Sequence, residues 1–390
     1  SMPLLQLVYD TAHQSETLKS IGWPARWRPT QGAESWQTVK DNGGYQVDGT
    51  DGESMLRYRH IFPTEEQWES IQTDGELPEN DHEGQLITDH YAYNDFAAAA
   101  PYSEQDYDDW GHQGMNWVGD LAIEVDVDVA GDTGLLLLDL VEGGVHFKCQ
   151  IDVESGEAKL SRSDNGSFGE GDNVSRSPLG KTRVKRQGQY HLRFANVDDE
   201  LRLWVDGDVI QFDVPATYLP IAGTRPLWSR RDSGDYEPAG VGTEKLAANF
   251  ERIKVFRDIY YVALNSQNSH FEQPMGWRAK QIVGFFRSPN EWNARDKREF
   301  FDDRNFVEFF VEDDCFMPLG DNSPASSDAR MWDSSRTYGF LDDDLGYHPF
   351  PYFARENLIG EAILIYWPHG WRTGIKFLNI PNVKRMGVIR

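Results

Sequence analysis

This sequence predicts a mostly β chain built around a jelly-roll β-sandwich, on three observations. Apolar and polar residues alternate in short runs along much of the chain, the period-two signature of strands with one buried face. Turn-forming clusters separate the runs, drawing on 35 Gly and 19 Pro. Apolar residues make up 39% and aromatics 13%, with 13 Trp, enough to fill the space between two sheets. At 390 residues the chain exceeds one ordinary domain, so two are expected.

The strands follow in order. Leu4 to Tyr9 reads as the first, and Tyr45 to Gly49 and Met55 to His60 as two more. Leu121, Ile123, Val125, Val127 and Val129 alternate with Ala122, Glu124, Asp126 and Asp128, giving a half-buried strand with an acidic outer face. Leu135 to Val141 is a more continuous apolar strand, and Val145 to Val153 alternates again before a turn at Glu154-Ser155-Gly156. Tyr190 to Phe194 and Leu201 to Val205 follow. Asp206-Gly207 marks a tight hairpin into Val209 to Phe212. Strands at this spacing suit a sandwich or barrel covering residues 31–257. From Asp258 the texture changes: Asp258 to Ala263 reads as a strand, 271–304 as short helices, and Phe306 to Val311 leads into a polar block.

A formal net charge of -26 repels nucleic acid and anionic lipid, so neither is expected as a partner. No apolar run reaches the roughly 18 residues a membrane span requires, and Ser1-Met2-Pro3-Leu4-Leu5-Gln6 is no signal peptide. Ser1-Met2 reads as a leftover of cloning, and the start at Leu4 as a chain shortened past a membrane anchor. Cys149 and Cys315 make no disulfide framework and read as two separate buried thiols.

The block Gly320-Asp321-Asn322-Ser323-Pro324-Ala325-Ser326-Ser327-Asp328-Ala329-Arg330 follows an apolar stretch, and a second run extends from Glu356 to Pro368. Together they resemble the last signature block of the type I signal peptidases, which are Ser/Lys proteases. Such an enzyme uses a lysine kept neutral by burial to take the proton from a serine hydroxyl. The resemblance implies that Ser326 orients that lysine, that Asp328 and Arg330 form a supporting ion pair, and that Gly320, Asp321 and Asn322 form the motif turn. Ser323, Ala329 and Glu361 depart from the family's usual residues. The shorter run Leu201 to Gly207 resembles the back-sheet hairpin of concanavalin-like and laminin-G-like domains.

The resemblance implies a three-part chain: 1–30 as an N-terminal segment of the signal-peptidase-like domain, 31–257 as an inserted concanavalin-like sandwich, and 258–390 as the C-terminal signal-peptidase-like part. It also implies a parent serine endopeptidase at the extracytoplasmic face of the cytoplasmic membrane, without metal or organic cofactor, acting on signal peptides of secretory precursors. The nucleophile and base are hard to find here. Ser1-Met2-Pro3 lacks the spacer of the family's serine motif, and Lys280 lacks the Pro-Gly-Asp that follows the family's lysine. The dyad is therefore expected upstream of this chain, which alone is expected to be inactive.

Rival readings remain. The sandwich could instead bind a glycan or protein at a cell surface on an inactive scaffold, with Trp110, Trp117 and Trp204 as stacking platforms. Glu124, Asp126 and Asp128 could mimic a glycosidase pair, although a solvated sheet face is the simpler expectation. Asp81-His82-Glu83 and Asp89-His90 fit no known metal-ligand spacing and read as a solvated acidic loop.

Overall fold

The computed structural model describes residues 5–39, 43–49, 51–76, 84–89, 114, 116–221, 224–262, 279–305, 307–320, 328–331, 351–360, 363–365, 371–372, 379–380 and 386–388. The chain divides into two compact units. One comprises Ser1–Ala263, Ser269–Phe306 and Asp321–Ser326; the other comprises Leu264–Asn268, Val307–Gly320 and Ser327–Arg390.

The first unit is a β-sandwich, as the alternating runs predict. Its strands are β1 (Gln6–Asp10), β2 (Trp27–Gln31), β3 (Trp36–Val39), β4 (Gly44–Val47), β5 (Glu53–Tyr58), β6 (Leu121–Val129), β7 (Leu135–Glu142), β8 (Val145–Asp152), β9 (Glu157–Arg162), β10 (Phe168–Glu170), β11 (Asn173–Ser175), β12 (Leu179–Lys181), β13 (Gly188–Val197), β14 (Glu200–Val205), β15 (Asp208–Val209), β16 (Ala239–Glu244) and β17 (Ala248–Arg257). One sheet runs β15-β14-β13-β6-β17-β4-β3, with β1 also paired to β17; the other runs β12-β9-β8-β7-β16-β5-β2. β10 and β11 form a separate small hairpin. Alternation decides which side chains face inward. Val125, Val127, Phe194 and Leu203 from the first sheet meet Leu138, Phe147, Ile151 and Val241 from the second in one buried core.

The expected boundary between 1–30 and the sandwich needs correction. β1 hydrogen-bonds to β17 and β2 to β5, so both belong to the sheets. Trp27 is buried in the sandwich core and packs against Tyr58 with ring centroids 5.4 Å apart. The boundary at 257/258 also moves. Short helices α1 (Ala279–Phe286), α2 (Pro289–Trp292) and α3 (Glu299–Asp302) belong to the same unit as the sandwich. Their Ile282, Phe285, Phe286, Trp292 and Phe300 form a second apolar cluster with Leu86.

One expected strand is absent. Asp258–Val262 is irregular, and Ala263 lies outside the described residues. Pairing in β17 ends at Arg257, and a strand without a neighbour leaves its backbone groups unpaired. β15 stops at Val209 because the chain then changes sheets: Phe212 bridges to Gly180 beside β12.

The second unit holds short two-stranded pairs: Cys315–Phe316 with Phe353–Ala354, Leu364–Ile365 with Gly387–Val388, and Trp371–Arg372 with Asn379–Ile380. Cys149 and Cys315 are both free thiols, as expected, although only Cys149 is fully buried. No helix among the described residues is long and apolar enough to cross a membrane.

Candidate functional site

The outer face of the second sheet carries a row of polar residues in register across six strands. Ser161 pairs with Lys148, Lys148 with Asp139, Asp139 with Gly240, Gly240 with Arg57, and Arg57 with Arg28. At about 4.8 Å per strand, the row spans roughly 24 Å. Gly240 makes its centre possible. A Cβ there would lie 3.2 Å from Arg57 Nη1 and 3.0 Å from Met55 Cε, so the missing side chain lets the arginine lie across β16 toward Asp139.

The contacts are short and buried. Arg57 Nη1 donates to Asp139 Oδ2 at 2.6 Å, and Arg57 Nε to the Glu237 carbonyl at 2.8 Å. His146 Nδ1 meets Asp139 Oδ2 at 2.7 Å, and its Nε2 meets Asp232 Oδ1 at 3.1 Å. Arg28 pairs with the Glu237 carboxylate. Arg57 is 6% exposed, Asp139 1% and Glu237 0%. Yet Arg57 Nη2, Asp139 Oδ1, Glu237 Oε2 and Arg59 Nε are buried with no hydrogen-bond partner. Buried polar atoms are almost always paired, so four in one patch require an explanation.

The segment bearing Asp232 and Glu237 is pinned to the sheet by Asp235. Its buried carboxylate accepts from Gly143 at 3.0 Å, Gly144 at 2.8 Å and Leu227 at 2.7 Å. Gly143 and Gly144 form the two-residue turn between β7 and β8 with φ of 57° and 73°, a conformation that turns their N–H groups toward Asp235 and that favours glycine. Burial pushes the Asp235 carboxyl up to about 7, against the pull of these three donors.

Burial opposes the charges of Asp139 and His146, but their mutual contact, with Arg57 and Asp232, outweighs it. Asp139 is held below the usual carboxylate range and His146 is raised to about 9. The hydrogen bond from His146 lowers Asp232 to about 2. A two-carboxylate glycosidase needs one carboxyl protonated; both carboxylates flanking His146 are ionised.

The acidic strand face picked out in the sequence is solvated in part: Asp128 is exposed, as expected, but the other two carboxylates are engaged. Glu124 is buried between Arg193 and Lys254, and Asp126 meets His191 and Arg252. Trp204 is buried, Trp117 is half-buried against the second apolar cluster, and Trp110 lies outside the described residues. Asp89 is buried and accepts from the backbone N–H of Asn116 at 2.9 Å, while Asp81, His82, Glu83 and His90 lie outside the described residues. Among the described residues, Asp120, Asp198 and Asp258 bring three carboxylates within 4.8 Å. Burial, and then the charges of Glu142, Asp258 and Asp198, raise Asp120 to about 8.

In the second unit Asp328 and Arg330 form a buried two-pronged pair, with Nε–Oδ1 at 2.8 Å and Nη2–Oδ2 at 2.7 Å. Gly320 N–H donates to Asp328 Oδ2 at 3.0 Å. Asp321, Asn322 and Ser326 lie outside the described residues. Lys280 lies in α1 of the first unit.

The row was missed in the sequence, although it left local signals. Asp139 interrupts an apolar strand, and Gly240 and Gly242 alternate within another. Each is the mark of an outward position where something approaches closely.

The chain matches no family model and no curated protein. Among solved structures it is similar to the carbohydrate-binding module CBM66 from Bacillus subtilis, with 12% identity and a TM-score of 0.31 over 59% of this chain and 94% of that one. It is also similar to galectin LEC-6 from Caenorhabditis elegans, with 8% identity and a TM-score of 0.24 over 36% and 83%. A third likeness is to a Crh5 transglycosylase in complex with NAG, with 9% identity and a TM-score of 0.32 over 67% and 88%. The mostly β class rests on this chain's own two sheets.

Proposed function

We propose that the sandwich is a glycan-binding module and that the charged row on its second sheet is the binding surface. The observation that carries this reading is the set of unpartnered atoms at its centre, which pairs donors on Arg57 and Arg59 with acceptors on Asp139 and Glu237. A sugar hydroxyl donates and accepts at once, so hydroxyls along a chain match an alternating set. The row runs across the strands as a long surface, which suits an extended polymer. The test is a glycan array probed with the whole chain, repeated with Asp139→Asn and His146→Gln. Specific binding lost in both variants, with each still folded by circular dichroism at the assay temperature, is the expected result. Array binding unchanged in both variants would remove the row from consideration.

A second reading concerns the second unit. It takes the parent protein to be a type I signal peptidase anchored at the extracytoplasmic face of the membrane, with its Ser/Lys dyad upstream of this chain. What supports it is the buried Asp328–Arg330 pair, which forms where the signature block calls for one and holds Gly320. On this reading the chain alone leaves a signal-peptide substrate intact. Cleavage abolished by Lys280→Ala would instead place the base in this chain.

A further inference from the structure

We infer that the ligand of this surface is an anionic glycan, one whose carboxylate or sulfate groups sit against Arg28, Arg57 and Arg59. The inference rests on the glycan-binding reading and adds the class of sugar.

Three arginines occupy neighbouring positions. Arg28 and Arg57 are direct partners across β2 and β5, and Arg59 follows two residues after Arg57, just past the end of β5. Like charges placed directly opposite one another destabilise a sheet unless something else compensates. Asp139 and Glu237 compensate in part, but each is already shared. Asp139 also serves His146, and the Glu237 carboxylate is engaged by Arg28. Arg57 Nη2 and Arg59 Nε keep no partner, and Arg57 is more than nine-tenths buried. A buried guanidinium nitrogen without an acceptor is costly to leave so, and a two-oxygen anion is what the planar fork of arginine accepts best.

The charge balance of the whole chain points the same way. The protein has 64 acidic against 38 basic side chains. This patch reverses the bias: Arg28, Arg57, Arg59, Lys148 and His146 face Glu53, Asp139, Asp232 and Glu237. A basic excess at the row, on a chain that is acidic as a whole, favours an anionic polymer there. Asp139 Oδ1 and Glu237 Oε2 lie buried beneath the same patch, without hydrogen-bond partners.

The test uses the full chain and four soluble polymers: a polyuronate, a sulfated galactan, its desulfated counterpart and a neutral glucan. Affinity is measured by calorimetry at low and moderate salt. Binding of the polyuronate, the sulfated galactan or both, with at least tenfold preference over the neutral polymers and weakening as salt rises, is expected. Which of the two binds identifies carboxylate or sulfate as the group recognised. Arg28→Ala, at a half-exposed position, should reduce that affinity about tenfold, and Arg28→Lys should restore part of it. Arg59→Ala should act in the same direction, while Arg202→Ala on the other sheet should have no effect. Equal binding of neutral and anionic polymers would overturn the anionic class and leave glycan binding standing. Failure of every polymer and of the array would overturn glycan binding itself. Anionic binding insensitive to both Arg28→Ala and Arg59→Ala would overturn the assignment to this row.

Discussion

On the outer face of the first sheet, Glu124 is held by Arg193 and Lys254, and Asp126 by His191 and Arg252. On the outer face of the second, Arg57 is held by Asp139 and the backbone of Glu237, and each of these three residues retains a buried atom without a partner. Both faces draw the same residue types onto central strands. The first saturates its charges within the sheet, as a structural network does. The second leaves donors and acceptors over, as a surface awaiting a ligand does.

The largest effect that tests this contrast is on stability. Asp139→Ala strands the buried Arg57 guanidinium and His146 and should cost about 3–5 kcal/mol in urea unfolding. Glu124→Ala should cost less, about 1–3 kcal/mol, because Arg193 and Lys254 both reach water. Equal costs would mean that the two networks are alike. Gly240→Ala comes next. Its Cβ would crowd Met55 and the Arg57 guanidinium, for a loss of about 1 kcal/mol and a weakening of glycan binding by about tenfold. Retained affinity would show that the position of Arg57 is unimportant.

The pH dependence is smaller and has a definite sign. His146 sits at about 9, against 6.5 for a free imidazole, so its contribution is full below about pH 6.5 and is lost as pH rises through 9. Asp235 at about 7 and Asp120 at about 8 keep protons that the unfolded chain sheds near 3.8. They too make stability fall as pH rises, until each ionises in the fold. Melting temperature should therefore decline from pH 6 to 9, and His146→Gln should flatten the decline above pH 8. A rising curve would contradict all three assignments. Lys148→Ala should be the mildest change, within about 0.5 kcal/mol, because its pair with Glu53 is partly open to solvent.

Much of the fold was legible because alternation is local. The runs 121–129, 135–141 and 145–153 each announce a strand and its buried face from their own residues. The row was not legible, because its members meet across strands distant in sequence. Arg57 lies 82 residues from Asp139 and 180 from Glu237. Alternation shows that each side chain points outward but not which strands lie side by side. The same limit explains 258–262, whose apolar residues suit a strand but which gain no neighbouring strand. The Asp328–Arg330 pair was expected from the resemblance of its block, and its partners are separated by Ala329 alone.

The pairing of β1 with β17 has a mechanical consequence. Gln6 lies opposite Arg257, and the ladder proceeds inward through Leu7 and Phe256 to Tyr9 and Val255. Tension applied at residues 6 and 257 therefore falls on one end of this ladder and opens it one rung at a time, the weak geometry, instead of shearing every rung together. A tether that carries load through residues 6 and 257 would peel β1 away first. β6 would still pair along the other edge of β17, and most of the sandwich would remain folded while the tether lengthened.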